Sequence, residues 1–327
     1  MSRMPLWIAV RLGGFAWAGC FAFAVGVVGA EAAGPIRESS GLAASHHAPN
    51  RFWTHNDSGD AARLFVLEQP PQQPDTAPGG AGGAGGAGGA ERRITEVHVA
   101  GAEAVDWEDM ASGVVDGRPT LVVADVGDNA RRRERVTLYV IDEPPLPATA
   151  RQRGGNQRGG LTVPFRHRLE VRYPDGARDC EAIALDAEQR RVICISKELL
   201  PVAAIYSVPL PPAESTPADR TPANRPSASR VTRVDAERVG TLPIPMVTGM
   251  DMRGDGRQLA VTGYFDLFLF ERAAGESWEV ALGRVPRHLP LPKLKQIEAV
   301  CFDRQGELWI TSEGDPMPLV RVAPVAD

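Results

Sequence analysis

Three glutamates at matching points of a repeated pattern, Glu108, Glu181 and Glu298, carry the clearest chemical signal in the chain. Further acids stand two residues upstream of the matching point in three repeats: Glu38, Asp106 and Asp179. A second group closes the paired segments, comprising Asn56, Asp57, Asp60, Asp125, Asp128, Asn129, Glu198, Asp266, Glu313 and Asp315. Carboxylates gathered at one place repel one another, so they must protonate, pair with cations or hold a metal. Oxygen donors without histidine clusters suit Ca²⁺, which accepts six to eight of them at flexible geometry, or Mg²⁺ in a stricter octahedron. The candidate ligands are Glu108, Glu181, Glu298, Glu38, Asp106, Asp179, Asp125 and Glu313. Turn capping is the competing account of the segment-ending acids, because Asp and Asn side chains cap turns and repeats repeat their caps. It fits the three glutamates less well, since Glu is not a favoured turn former and these sit beside Ala, Ile and Val.

Cationic and aromatic residues fall in the same positions: Lys197, His55, Arg131 to Arg133, Arg178 and Tyr264, with Trp107 nearby. Plain ion pairing is one reading. The other is a small anionic or carbohydrate-like ligand, such as a phosphoester, bridged by the metal and held by Lys197 and the arginines. If the chain is catalytic, a metal polarises an ester or phosphoester and a carboxylate-held water attacks. Glu181 and Glu298 are then the candidates to hold that water. A non-catalytic module that binds a protein or cell-envelope partner is the alternative from another class. There is no G-x-S-x-G elbow, Walker loop or G-x-G-x-x-G in strand-to-helix context, and no C-x-x-C or H-E-x-x-H.

Five repeats must position these groups. They begin at Ser40, Glu108, Glu181, Thr248 and Glu298, and a second column aligns His55, Asp125, Lys197, Gly263 and Ser312. Each repeat reads as a short apolar strand, a turn such as Asp116-Gly117 or Asp255-Gly256, and a second strand ending in polar residues. A third strand follows (ARLFVLE, VTLYVID, AAIYSVPL, DLFLFER, PLVRVAP), and a fourth precedes the next repeat (ITEVHVA, FRHRLEVRY, VTRVDAERVGTL, WEVALGRVP). Four antiparallel strands repeated radially describe an all-β propeller of five blades, with a sixth only if one hides in a degenerate stretch. The ring is expected to close when Gly34 to Arg37 completes the last blade. Pro/Gly-rich insertions at 69–90, 144–160 and 209–229 read as disordered, all between third and fourth strands and on the face opposite the acids.

Residues 12–29 are uncharged and lead to Ala30-Glu31-Ala32, so residues 1–32 read as a signal peptide and 33–327 as a single exported domain, periplasmic or extracellular. An uncleaved anchor is the rival reading, and it is the one route to a membrane. Cys180, Cys194 and Cys301 exclude a complete disulfide framework in the exported portion and leave buried thiols, or one bridge with one free thiol. A net charge of −5, with only three lysines among 36 basic residues, argues against nucleic acid. The chain is expected to act as a monomer.

SGLAAS with FWTHNDSGD, EDMA with VVADVGDN, EAIALD with ICISKE, and EAVCFD with LWITSEGD resemble the exported propellers of the SdiA-regulated group and the phytase-like (esterase-like) propellers. The resemblance spans roughly residues 36–323. It implies a calcium-associated propeller whose ligand mouth is the acidic face and, for phytase-like members, phosphomonoester or ester hydrolysis. Glu108, Glu181 and Glu298 would then be metal or water ligands and Lys197 a phosphate contact. Ser40 and Thr248 depart from the glutamate column.

Overall fold

Small and branched apolar residues fill the five innermost strands, β1 (Ser39–Ala44), β5 (Trp107–Val115), β10 (Cys180–Asp186), β15 (Val247–Met252) and β19 (Ile297–Phe302). Nearly every residue of these strands is buried, because both faces of each pack against a neighbouring sheet. The computed structural model describes residues 35–69, 93–146, 161–212 and 230–322. Around the axis β1 neighbours β5, then β10, β15 and β19, which returns to β1. This is a five-bladed β-propeller.

Successive antiparallel hairpins build each blade outward. The first adds β2 (Arg51–Asn56), β3 (Arg63–Glu68) and β4 (Arg93–Ala100), and the second β6 (Arg118–Asp125), β7 (Val136–Asp142) and β9 (His167–Arg172). The third adds β11 (Arg191–Ser196), β12 (Ala203–Pro209) and β14 (Glu237–Leu242). The fourth adds β16 (Gln258–Gly263), β17 (Asp266–Glu271) and β18 (Arg287–Pro290), and the fifth β20 (Leu308–Ser312) and β21 (Leu319–Arg321). Two further strands run parallel on outer edges: β8 (Leu161–Pro164) on β4 and β13 (Arg230–Asp235) on β9. Each leaves its own blade after the third strand and backs the preceding one.

Polar pins cross the interfaces between blades. Ser40 Oγ donates to the Glu108 carbonyl, Ser112 Oγ to Ala44 at 2.8 Å and Thr248 Oγ1 to Ile297 at 2.8 Å. Between the third and fourth blades the buried Arg272 guanidinium reaches Asp186 at 3.1 Å and stacks over Trp278.

Three expected strands differ. WEVALGRVP is not the fourth strand of its blade: Ser277 accepts from Val280 N and caps a single helical turn, α1 (Trp278–Ala281), leaving β18 to fill that place. VTRVDAERVGTL is two strands, β13 and β14, which join different blades. Of the segment expected to close the ring, Gly34 lies outside the described residues and Pro35 to Arg37 do not complete the fifth blade, which has three strands among the described residues. The Asn56 side chain ties Arg37 N and Pro35 O to the first blade, at 3.1 and 3.0 Å, while one backbone bond, Gly314 N to Arg37 O, reaches the fifth. The ring closes instead by packing. Ile36 sits with Ala299, Cys301, Trp309 and Leu319, and Thr311 Oγ1 meets Ser39 Oγ at 3.2 Å. The leader and most of the three insertions lie outside the described residues. Cys180, Cys194 and Cys301 are free and buried.

Candidate functional site

Five bulges decide where the glutamates point. Pairing between the first and second strands slips at the same level in every blade, leaving Gly41, Glu108, Glu181, Thr248 and Glu298 as the unpaired residues. A bulge turns its residue out of the ladder. The three glutamates are therefore re-aimed at one level of the ring. The column alignment shifts by one in two repeats: Gly41 replaces Ser40, and Ser196, which faces Cys180, replaces Lys197. Gly41 has φ +69°, and a Cβ there would lie 2.5 Å from His55 Nε2. The first blade thus fills with a ring the space beside its bulge.

Glu108 belongs to two carboxylate triads, one with Asp57 and Asp106 and one with Asp179 and Glu181, each with oxygens within 4.8 Å of one another. Glu108 and Glu181 are 4% exposed and Asp179 is 7% exposed. Burial, then the Glu181 charge, raises the Glu108 carboxyl well above the usual carboxylate range. Burial pushes Glu181 up to about 8, although Lys197 Nζ sits 2.8 Å from its Oε2 and opposes the shift. Asp106 rises to about 6 through burial and the Asp57 charge, and Glu298 to about 7 through burial. Among the described residues, Lys197 to Glu181 is the only ion pair made by the five triad carboxylates.

The loop after β6 presses on this cluster. A Cβ on Gly127 would fall 2.5 Å from the Asp106 carboxylate and closer still to Glu108 Oε1. Arg133 holds the loop, donating to Gly127 O at 2.8 Å and pairing with Asp125 at 2.7 Å. Asp125 also accepts from Val105 and Asp106 backbone N–H groups, both at 3.2 Å, and Asp179 accepts from Asp128 N at 2.8 Å. Asp125 therefore shapes the loop beneath the cluster.

The remaining sequence candidates are distributed around this centre. Glu298 accepts from Gln296 Nε2 at 3.0 Å, and the same amide reaches Glu313, which Lys295 holds at 2.5 Å. Tyr264 lies under Lys197, with Nζ 5.2 Å from the ring centroid. His55 is fully buried edge-on to Trp107, and burial lowers it to about 4, so it is neutral. Arg131 pairs with Glu198 at 2.6 Å, and Arg178 turns away to Asp175 and the Tyr206 hydroxyl. Glu38 is exposed and contributes its carbonyl to Asp57 N at 2.8 Å. Asp57 was absent from the candidate ligands although it stands in a triad. The signal was its place directly after β2, level with the glutamates.

At the other end of the innermost strands a cavity of about 420 Å³ opens between Ala44, His46, Ser112, Asp251 and Phe302. Two more acids line the interior. Asp109 accepts from Met110 N and Ile183 N at 2.8 Å and Met250 N at 3.3 Å, and Asp251 accepts from Phe302 N at 2.8 Å.

No protein-family model matches the chain, and no curated protein does. Solved structures do. The PQQ-bound form of aldose sugar dehydrogenase from Streptomyces coelicolor matches at 12% identity and TM-score 0.39, covering 89% of this chain and 81% of that one. A glucose dehydrogenase matches at 12% and 0.41, covering 89% and 97%. The nidogen/laminin complex matches at 12% and 0.40, covering 85% and 73%.

Proposed function

We propose that the acidic mouth holds a divalent cation, Ca²⁺ in preference to Mg²⁺, and that the cation presents a small anionic ester to the chain. The observation that carries this is the buried Glu108 shared between two carboxylate triads, one fully buried and one half-buried, with a single ammonium in reach. Asp57, Asp106, Glu108, Asp179 and Glu181 supply hard oxygens alone, in the number and irregular arrangement that Ca²⁺ accepts. Gly127 fits the same purpose, because its missing side chain leaves the carboxylates room to close together.

A bound divalent ion would polarise the phosphoryl or acyl oxygen of the ester. Lys197, held between Glu181 and the Tyr264 ring, is placed to meet an anionic oxygen. Glu298 lies beside the triads on the Gln296 amide and is placed to take a proton from the attacking water. Water adds to phosphorus or to the acyl carbon, the ester bond breaks, and the proton taken by Glu298 passes to the departing oxygen. The products are an acid and an alcohol.

Thermal unfolding of the purified protein in EDTA, then in graded Ca²⁺ or Mg²⁺, tests the cation directly. An ion at a hundredfold excess over Kd adds about 2.7 kcal/mol to the folded state. A Ca²⁺-selective rise that Glu108→Gln removes is the expected result. No response to either ion overturns the reading and leaves partner binding as the mouth's use.

A further inference from the structure

The rim beside Lys197 carries a hydrophobic wall. Leu199, Leu200 and Val202 follow Lys197 in the loop between β11 and β12 and are 83%, 68% and 53% exposed. Phe265, 71% exposed, occupies the turn between β16 and β17, next to Tyr264 at 6.2 Å between ring centroids. The Lys197–Tyr264 stack joins these two loops. Nothing in the fold requires large apolar side chains at such exposed loop positions, and clustered exposure of this kind marks a binding surface.

The charges on the rim point the same way. Lys197 is paired with Glu181, Arg131 with Glu198, Arg133 with Asp125 and Lys295 with Glu313. Lys197 stacks on Tyr264 beside Phe265 and precedes Leu199, Leu200 and Val202 in its own loop, so a group attached to an anion at Lys197 has these apolar side chains for neighbours.

We infer that the ligand is a phosphomonoester bearing an alkyl or aryl group, with its one phosphoryl group at Lys197 and the apolar group on this wall. The inference rests on the cation reading of the mouth and deepens it. Each methylene that leaves water on the wall should tighten binding about two- to fourfold.

Methyl phosphate and octyl phosphate, both below micellar concentration, are the probes, titrated against the protein with and without Ca²⁺ by calorimetry and by melting shift. Octyl phosphate is expected to bind at least tenfold more tightly than methyl phosphate. In the Leu199→Ser/Leu200→Ser/Phe265→Ser variant, whose changes are all at exposed positions, that ratio should fall to about two while the Ca²⁺ melting shift stays. Equal affinity for the two phosphates in the unmodified protein overturns the wall, as does a preference that survives the triple change. The two readings fail separately. A Ca²⁺ shift without alkyl preference removes the wall and keeps the cation; alkyl preference lost in the triple variant, without a Ca²⁺ shift, removes the cation and keeps the wall.

Discussion

Two sets of buried and half-buried carboxyls occupy the axis of this propeller, and their partners separate them. Asp109 and Asp251 lie within the ring and face backbone N–H groups of neighbouring blades. Asp57, Asp106, Glu108, Asp179 and Glu181 lie at one mouth and face mainly one another. Burial raises the carboxyl pKa in both places. A pKa shift alone therefore does not mark a functional site here. What the carboxyl faces separates the two sets: donors from the fold make it a pin, and other carboxylates leave its charge opposed.

Replacing a pin should hurt most. Asp109→Ala strands three buried N–H groups in three strands, at Met110, Ile183 and Met250. Each orphaned donor costs about 1–3 kcal/mol, so the loss should be about 4 kcal/mol in urea unfolding, with Asp109→Asn intermediate. A loss under 1 kcal/mol would erase the distinction between pin and mouth.

Asp251 sharpens the contrast through pH. Burial raises it from 3.8 to about 8 despite the N–H bonds from Phe302 and Met252. The folded state then holds a proton that the unfolded chain releases near pH 4. Its contribution is complete below that pH and is lost as pH rises through about 8. His46, Arg253, Asp255, Asp303 and Arg304 line the same cavity and surround it. Between pH 5 and 7 the unmodified protein should lose about 2 kcal/mol relative to Asp251→Asn, measured by urea unfolding at each pH. Parallel pH profiles for the two proteins would show that Asp251 does not hold the proton.

Gly127→Ala probes the mouth from its own side. The new Cβ must displace the Asp106 and Glu108 carboxylates. The cost should be about 1.5 kcal/mol, with the Ca²⁺ melting shift weakened in the same variant. An unchanged shift would mean that the Asp106–Glu108 geometry does not matter to the ion.

The propeller was legible because its signal is repeated: five apolar strand pairs with polar ends, at nearly constant spacing, leave few alternatives. Lapses came where one residue type reads two ways. WEVALGRVP reads as a strand and begins with a helical turn that Ser277 caps, while Asn56, which ends β2 as its place in the repeat implies, also ties down the segment expected to close the ring. Glu108, Glu181 and Glu298 were legible as a column. The bulge that re-aims them was not, because a one-residue slip leaves composition and periodicity intact. That slip also hid the equivalence of Gly41 with the glutamates. Arg178 and Asp175 meet through a loop and the Tyr206 hydroxyl, a contact that no spacing encodes.

Glu108→Gln is the smallest expected effect and the sharpest division between the two sets. In a pin, a neutral isostere removes an acceptor that the fold uses, so stability falls. At Glu108 no donor among the described residues bonds the carboxylate, and the charges of Glu181, Asp57, Asp106 and Asp179 all oppose its ionisation. Removing the negative charge should therefore leave the EDTA-treated protein equally stable or about 1 kcal/mol more stable. The same change takes from both triads the oxygen they share, so the Ca²⁺ increment should disappear. Opposite signs in the two conditions, read from the same melting curves, distinguish a cation site from an acidic cluster that only shapes the fold. If Glu108→Gln destabilises the protein equally with and without Ca²⁺, Glu108 belongs with Asp109 among the pins and the mouth loses its metal.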